Sequence, residues 1–312
     1  MESAAILHEW GPFFAVFAAL LALDLGLLHR RERRIGFREA LAASIVWTLV
    51  GLGWNLWVRY AQGPTAGVEF LAAYVIERSL SFDNIFIFVV IFQYFAVPEE
   101  LQHRVLYWGI LGALVSRGLF IVAGAALIAR FAWLIPVLGA LLLYTGIKLL
   151  AGKEAEVRPE ANPVVRLFQR FVPLTSELHG RRFLVREAGR LAATPLALVL
   201  VVVEATDIVF AIDSIPAVFG VTRDPYIAFT SNIFAILGLR ALYFLLAGLM
   251  DRFTYLGYGL GVVLAFVGTK MLIHHWIEIP TSVSLVIVLA VLAVAIALSL
   301  LRPPRPRDPP GA

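Results

Sequence analysis

The 312-residue sequence contains no cysteine and only three methionines, and just 15% of its residues are charged. Without cysteine, thiolate metal sites, disulfides and thiol redox chemistry within the chain are excluded, and the redox compartment leaves no trace. No nucleophile–base arrangement, phosphate-binding loop or HExxH string occurs, so no catalysis is expected and no cofactor is required. The opening MESAAILHEW lacks the basic start and small-residue cleavage site of a secretory leader, so the first apolar run is expected to remain as a span.

What is present is apolar: 60% of residues are hydrophobic and the mean hydropathy is +0.85. That composition belongs to an all-α polytopic membrane protein. Nine segments have spanning length, at roughly 10–28, 39–57, 68–95, 105–129, 131–150, 194–216, 226–249, 253–273 and 281–301. The net charge of +4 does not imply nucleic acid, because the basic residues sit between spans. Arg30, Arg31, Arg33, Arg34 and Arg38 fill the first connection, and Lys153, Arg158, Arg166, Arg170, Arg181, Arg182, Arg186 and Arg190 fill the connector 151–193. Alternate loops are thus basic, which predicts an outside N-terminus and a cytoplasmic C-terminus. Within the connector, RRFLVREAGRLAAT alternates weakly around 187–189, a hairpin pattern, but an ordered linker is the favoured expectation.

Inside the sixth segment, VVVEATDIVFAIDSIP (201–216) holds Glu204, Asp207 and Asp213. A carboxylate at mid-membrane costs about 3 kcal/mol on insertion scales, so protons, a facing Arg or a bound cation must compensate. The third segment holds a related pair, Glu77 and Asp83, and the likeness extends further. SFDNI (81–85) overlays AIDSI (211–215), SRGLF (116–120) overlays LRALY (239–243), and GALLLYTGIKLL (139–150) overlays GVVLAFVGTKML (261–272). Glu77 and Asp83 then correspond to Asp207 and Asp213, Arg117 to Arg240, and Lys148 to Lys270. Units of three spans must run in opposite directions, and such inverted repeats are a mark of secondary transporters. The implied plan is two N-terminal spans in 1–67, repeats in 68–150 and 194–273 flanking the connector 151–193, a last span in 274–301 and a disordered tail in 302–312.

The spacing of six residues within each acidic pair splays the carboxylates on a regular helix. Helix breaks near Asp83 and, because of Pro216, just after Asp213 are therefore expected to let all five acids converge. Glu77, Asp83, Glu204, Asp207 and Asp213, supplemented by Asn84, Thr206 and Ser214, form a hard oxygen donor set suited to Mn, Mg or Ca. The competing reading is structural: the acids pair with Arg117, Arg240, Lys148 and Lys270, or stay protonated. Arg117 and Arg240 are read as counter-ions or gates, with structural pairing as the alternative. Lys148 and Lys270, near span ends, are expected to snorkel. Asp24 is expected to pair with Arg30 or Arg31, and His274 and His275 to be solvated. Gly139 with Gly146, and Gly257 with Gly261, are expected to permit close helix packing.

The strings SLSFDNIFIF (79–88), LQHRVLYWGILGALVSRGLF (101–120), VEATDIVFAIDSIPAVFGVTRDP (203–225) and TSNIFAILGLRALYF (230–244) closely resemble the TerC/Alx family of integral membrane proteins. The family takes its name from tellurium resistance, and the resemblance implies Mn²⁺ export across a bacterial inner membrane. It also implies that Glu77, Asp83, Glu204, Asp207 and Asp213 match the family's functional membrane acids. The expected partners are Mn²⁺ as cargo, the lipid bilayer and exchanged protons. The alternative is a non-transporting membrane scaffold that recruits metal-stress or secretion partners through 151–193.

Overall fold

The computed structural model describes residues 2–28, 36–131, 133–151, 167–168, 170–175, 177–187, 190–247, 255–274 and 276–301. The chain divides into two compact units, residues 1–35 and 36–312. The first contains α1 (Glu2–Leu28), in which the rings of Phe13 and Phe17, one turn apart, stack at 5.8 Å. The pairing expected of Asp24 with Arg30 or Arg31 lies outside the described residues.

The second unit contains α2 (Phe37–Gln62), α3 (Pro64–Tyr94), α4 (Glu99–Arg130) and α5 (Leu134–Leu150), then the strands β1 (Leu184–Glu187) and β2 (Arg190–Ala193). It continues with α6 (Pro195–Phe219), α7 (Pro225–Leu237), α8 (Leu239–Leu246), α9 (Leu256–Ile273) and α10 (Thr281–Leu301). Every apolar segment read from the sequence carries one helix, except 226–249, which carries the pair α7 and α8. Among the described residues α2, α4, α6, α9 and α10 are long and apolar enough to cross a membrane, and α7 with α8 makes a sixth if taken as one span. Apolar side chains point outward, as a bilayer solvent requires: Leu56, Val115, Leu119 and Val286 are all exposed.

Two expectations need correction. α3 runs unbroken through Asp83, and α6 runs unbroken through Asp213 and Pro216. In α3 the Ser79 and Ser81 hydroxyls donate to the carbonyls of Val75 and Glu77 one turn back, at 2.6 and 2.8 Å, supplementing an intact helix instead of replacing its bonds. Pro216 falls in the last turn of α6, where the helix ends within three residues, so its missing N–H removes a bond without redirecting the chain. The break falls instead at Gly238, between α7 and α8, which meet at 43°. Arg78 on α3 explains why: its Nη1 donates to the Ala235 carbonyl at 2.9 Å, and its guanidinium fills the space where a Gly238 side chain would stand. A carbonyl at a helix end thereby finds a partner from another helix.

Glycines set the helix contacts. A methyl on Gly139 would meet the Gly268 carbonyl at 3.0 Å, and one on Gly146 would meet the Gly261 carbonyl at 2.7 Å, so α5 and α9 cross antiparallel at backbone distance. Gly257 has open space beside it, so the working partner of Gly261 is Gly146 and the fourth glycine of the seam is Gly268. Glu69 meets Thr222 just ahead of α7, and Phe70–Phe234 and Arg78–Ala235 follow along α3 and α7, so these helices run parallel. Between α4 and α6 they advance together as well: Gly109 approaches Val203, and Gly124 approaches Phe219. Gly63, at φ 98°, makes the turn that folds α3 back on α2, where Asn55 Nδ2 donates to the Gly67 carbonyl at 2.6 Å.

The weak alternation at 181–194 is a hairpin, with Leu184 opposite Ala193 and Glu187 opposite Arg190. It joins α6 directly. The Thr194 side chain caps that helix, accepting from Ala197 N–H, and also donates to the Arg182 carbonyl at 2.7 Å. Phe183 lies under the Arg104 guanidinium of α4, 5.3 Å from the ring centre.

Candidate functional site

The sequence places an arginine in the middle of α4, where burial in hydrocarbon or protein demands a partner. Arg117 is 1% exposed, and its partners come from two other helices. Its Nε donates to Asp207 Oδ2 at 3.1 Å and its Nη2 to Asp207 Oδ1 at 2.9 Å, a fork-to-fork pair with α6. Its Nη1 donates to Glu77 Oε1 on α3 and to Ser214 Oγ on α6, the latter at 3.2 Å. Asn84 Nδ2, one further stretch along α3, donates to Asp207 Oδ1 at 3.2 Å.

With both carboxylates ionised, this trio carries one net negative charge in a place that water does not reach. Glu77 is 0% exposed and Asp207 2%. The second oxygen of Glu77, Oε2, is buried without a hydrogen-bond partner among the described residues. A buried carboxylate oxygen left unpaired costs about 1–3 kcal/mol or more, so this is a place where a further cationic or donor group would be accommodated.

The other acids lie apart from that trio. Asp213 is half-buried and accepts from Thr145 Oγ1 of α5 at 3.1 Å. Glu204 is half-buried, and its carboxylate occupies the space that a side chain at Gly112 of α4 would need. Asp83 sits on α3, and its side chain is outside the described ones. Among the described residues no three His, Cys, Asp or Glu side chains are grouped closely enough to hold a metal ion. Among the described residues Glu77, Glu204, Asp207 and Asp213 do not gather into one cluster, because the unbroken α6 keeps the six-residue spacing of Asp207 and Asp213 splayed. Two carboxylates, one from each related segment, converge instead on a guanidinium.

Of the supporting residues, Asn84 and Ser214 join the site, whereas Thr206 donates to its own helix at Val202, 2.7 Å away. Arg240 is buried in the first turn of α8, beside the Gly238 break. Lys270 does not snorkel: it is only 7% exposed, unlike Lys148, which is exposed. His274 is exposed, and His275 lies outside the described residues. Sequence reasoning passed over Arg78, Gly112 and Thr145. Arg78 carried a usable signal, an arginine in an apolar stretch beside Glu77. Gly112 and Thr145 matter only through contacts across the fold.

A multi-pass, all-α membrane protein with an internal carboxylate–guanidinium cluster is the class that these features define. The chain belongs to the TerC family: the family described as integral membrane protein TerC matches residues 62–307. It is 49% identical over 293 residues to the uncharacterized membrane protein STKORF319 of Myxococcus xanthus, covering 94% of this chain and 92% of that one. It is 45% identical over 300 residues to the proposed membrane-bound redox modulator Alx of Photorhabdus laumondii, covering 93% and 94% of the two chains. The corresponding Escherichia coli K12 protein of the same description is 44% identical over 299 residues, covering 93% of each. No solved structure matches the chain.

Proposed function

We propose that this protein is a secondary transporter that exports a divalent metal cation, most readily Mn²⁺, in exchange for protons. It would act from a bacterial inner membrane, with the N-terminus outside and the C-terminus in the cytoplasm. The observation that carries the reading is the shared hold of Arg117 on Glu77 and Asp207. These are the corresponding acids of the two related segments, so the guanidinium stands where a cation between two inverted repeats would stand.

The pattern of helix contacts supports the repeat. The first helix of each unit packs along the second helix of the other, as α3 on α7 and α4 on α6. The third helices, α5 and α9, meet through Gly139–Gly268 and Gly146–Gly261. In the sequence overlay Gly139 corresponds to Gly261 and Gly146 to Gly268, so the two contacts exchange under a two-fold relation, the behaviour of a self-complementary interface.

A divalent cation and the guanidinium exclude each other. At a separation of 5 Å and an effective dielectric of about 20, their repulsion is about 7 kcal/mol. Cargo binding would therefore require Arg117 to leave, and cargo release would let it return and neutralise the carboxylates. Arg117 then acts as a tethered counter-ion that stands in for the cargo, so that the emptied site never presents two bare buried charges. The oxygen donors favour a hard cation, and the resemblance to manganese exporters selects Mn²⁺ among such ions. Redox effects suggested by the names of the relatives would have to arise here without thiols, since the chain has no cysteine.

Uptake of Mn²⁺ into everted membrane vesicles tests this reading. Wild-type protein is expected to drive accumulation, and Asp207→Asn to abolish it while still reaching the membrane. Equal accumulation by both would overturn the reading. A second reading, a membrane scaffold, is favoured by the ordered hairpin at 184–193. Replacing its exposed Leu184 and Leu191 by Glu would remove a scaffold's phenotype and leave transport intact.

A further inference from the structure

Asn232 lies in the middle of α7 and is 0% exposed. Its neighbours Thr230 and Ser231 are just as buried, but their hydroxyls donate to carbonyls of their own helix, Tyr226 at 2.7 Å and Ala228 at 3.2 Å. Asn232 does neither: both its Oδ1 and its Nδ2 are buried without a hydrogen-bond partner among the described residues. An amide with both ends unpaired forfeits hydrogen bonds that water would supply, at about 1–3 kcal/mol for each group. Leucine of nearly the same size would avoid that penalty.

The position of this amide is specific. Phe229, three residues before Asn232 and on the same face of α7, packs on Gly118 of α4, next to Arg117. On α3, Glu77 lies two turns after Phe70 and about 20° from it around the helix. Phe70 packs on Phe234 of α7, and Arg78 reaches the Ala235 carbonyl. These contacts place Asn232 on a helix packed against both α3 and α4, one turn from the ring that meets Gly118 beside Arg117. Glu77 Oε2 and the two polar atoms of Asn232 are thus orphaned on helices that pack against each other.

We infer that Asn232 is a neutral oxygen ligand of the transported divalent cation, completing with Glu77 and Asp207 the site that Arg117 vacates. The inference rests on the transporter reading above and adds to it a donor from α7, the second helix of the second repeat. With the cation bound, the amide oxygen coordinates it and the NH₂ is free to donate to a neighbouring carboxylate oxygen. A neutral third donor of this kind suits a hard cation and adds no further charge to a site that must also empty.

The test measures Mn²⁺ binding to purified protein by titration calorimetry, together with thermal unfolding with and without Mn²⁺. Asn232→Leu is expected to unfold, without Mn²⁺, at or above the wild-type temperature, because it removes a buried unpaired amide. It is expected to bind Mn²⁺ about tenfold or more weakly and to lose the Mn²⁺-dependent rise in unfolding temperature. Asn232→Asp, which keeps an oxygen donor, is expected to bind, and Glu77→Gln to lose binding. Wild-type affinity in Asn232→Leu alongside lost binding in Glu77→Gln would overturn the assignment and leave the site standing. Wild-type affinity in both would overturn the site itself. Should Asn232→Leu not fold, Asn232→Ala is read by the same criteria.

Discussion

Arg117 and Asp207 meet fork to fork, with Nε on Oδ2 at 3.1 Å and Nη2 on Oδ1 at 2.9 Å, joining α4 to α6 at a point closed to solvent. Two parallel bonds fix both groups in orientation as well as in charge, and a lysine ammonium could not reproduce them. The pair joins the segment 68–150 to the segment 194–273, and Glu77 of the first segment shares the same guanidinium.

Removing the guanidinium should expose what it balances. Arg117→Ala leaves Glu77 and Asp207 buried together and is expected to cost about 3–5 kcal/mol. Because an added cation can take the guanidinium's place, millimolar Mn²⁺ should recover part of that loss. Thermal unfolding in detergent with and without Mn²⁺ measures it, and a loss that Mn²⁺ leaves untouched would argue against a cation-accepting site.

The α5–α9 seam should tolerate no side chain at its four glycines. Gly146→Val would drive its methyls into the backbone of Gly261 and Ala265, 2.6–3.0 Å from even a Cβ, and overpacking of this kind costs about 1–3 kcal/mol. Gly257→Ala, beside open space, should stay within about 0.5 kcal/mol of wild type. Comparison of the unfolding temperatures of the two variants checks the contrast.

Thr145→Val removes the hydroxyl that donates to Asp213 at 3.1 Å. A single hydrogen bond to a charged group is worth about 1.5–3 kcal/mol, so stability should fall by up to that amount. Transport should fall less than in Asp213→Asn, because Thr145→Val keeps the carboxylate itself. Vesicle uptake assays on both variants supply the comparison.

Arg78→Met should loosen the bend between α7 and α8. The Ala235 carbonyl loses its donor at 2.9 Å, and hydrogen exchange at the amides around Gly238 is expected to accelerate. Unchanged exchange there would mean that the bend is held by packing alone.

Much of the architecture was legible in the sequence because hydropathy reports directly on which segments lipid accepts. Each apolar run did contain a helix, whereas the alternation at 181–194, too weak to outweigh a plain ordered linker in the sequence, makes a hairpin. The acids and Arg117 stood out because charge in an apolar run is costly. The helix break was misplaced because Pro216 and the serines of α3 were weighed by local chemistry, while the actual bend depends on Arg78 reaching from another helix. The splayed carboxylates likewise found separate environments: Asp213 met Thr145, and Glu204 met the bare face of Gly112. Partners of that kind are set by tertiary contact and leave no mark in local spacing. In the sequence Asn232 is one residue of the family-like string TSNIFAILGLRALYF, and its unpaired amide is visible only once its surroundings are.

The central claim is that Glu77 and Asp207 alternate between Arg117 and a transported cation. Mn²⁺ flux in proteoliposomes of the purified protein, with and without an imposed pH gradient, tests it most directly. Wild-type protein is predicted to move Mn²⁺ faster when protons can run the other way, and Asp207→Asn to move none above protein-free liposomes. Flux in Asp207→Asn equal to wild type, or no flux in wild type under either condition, would contradict it.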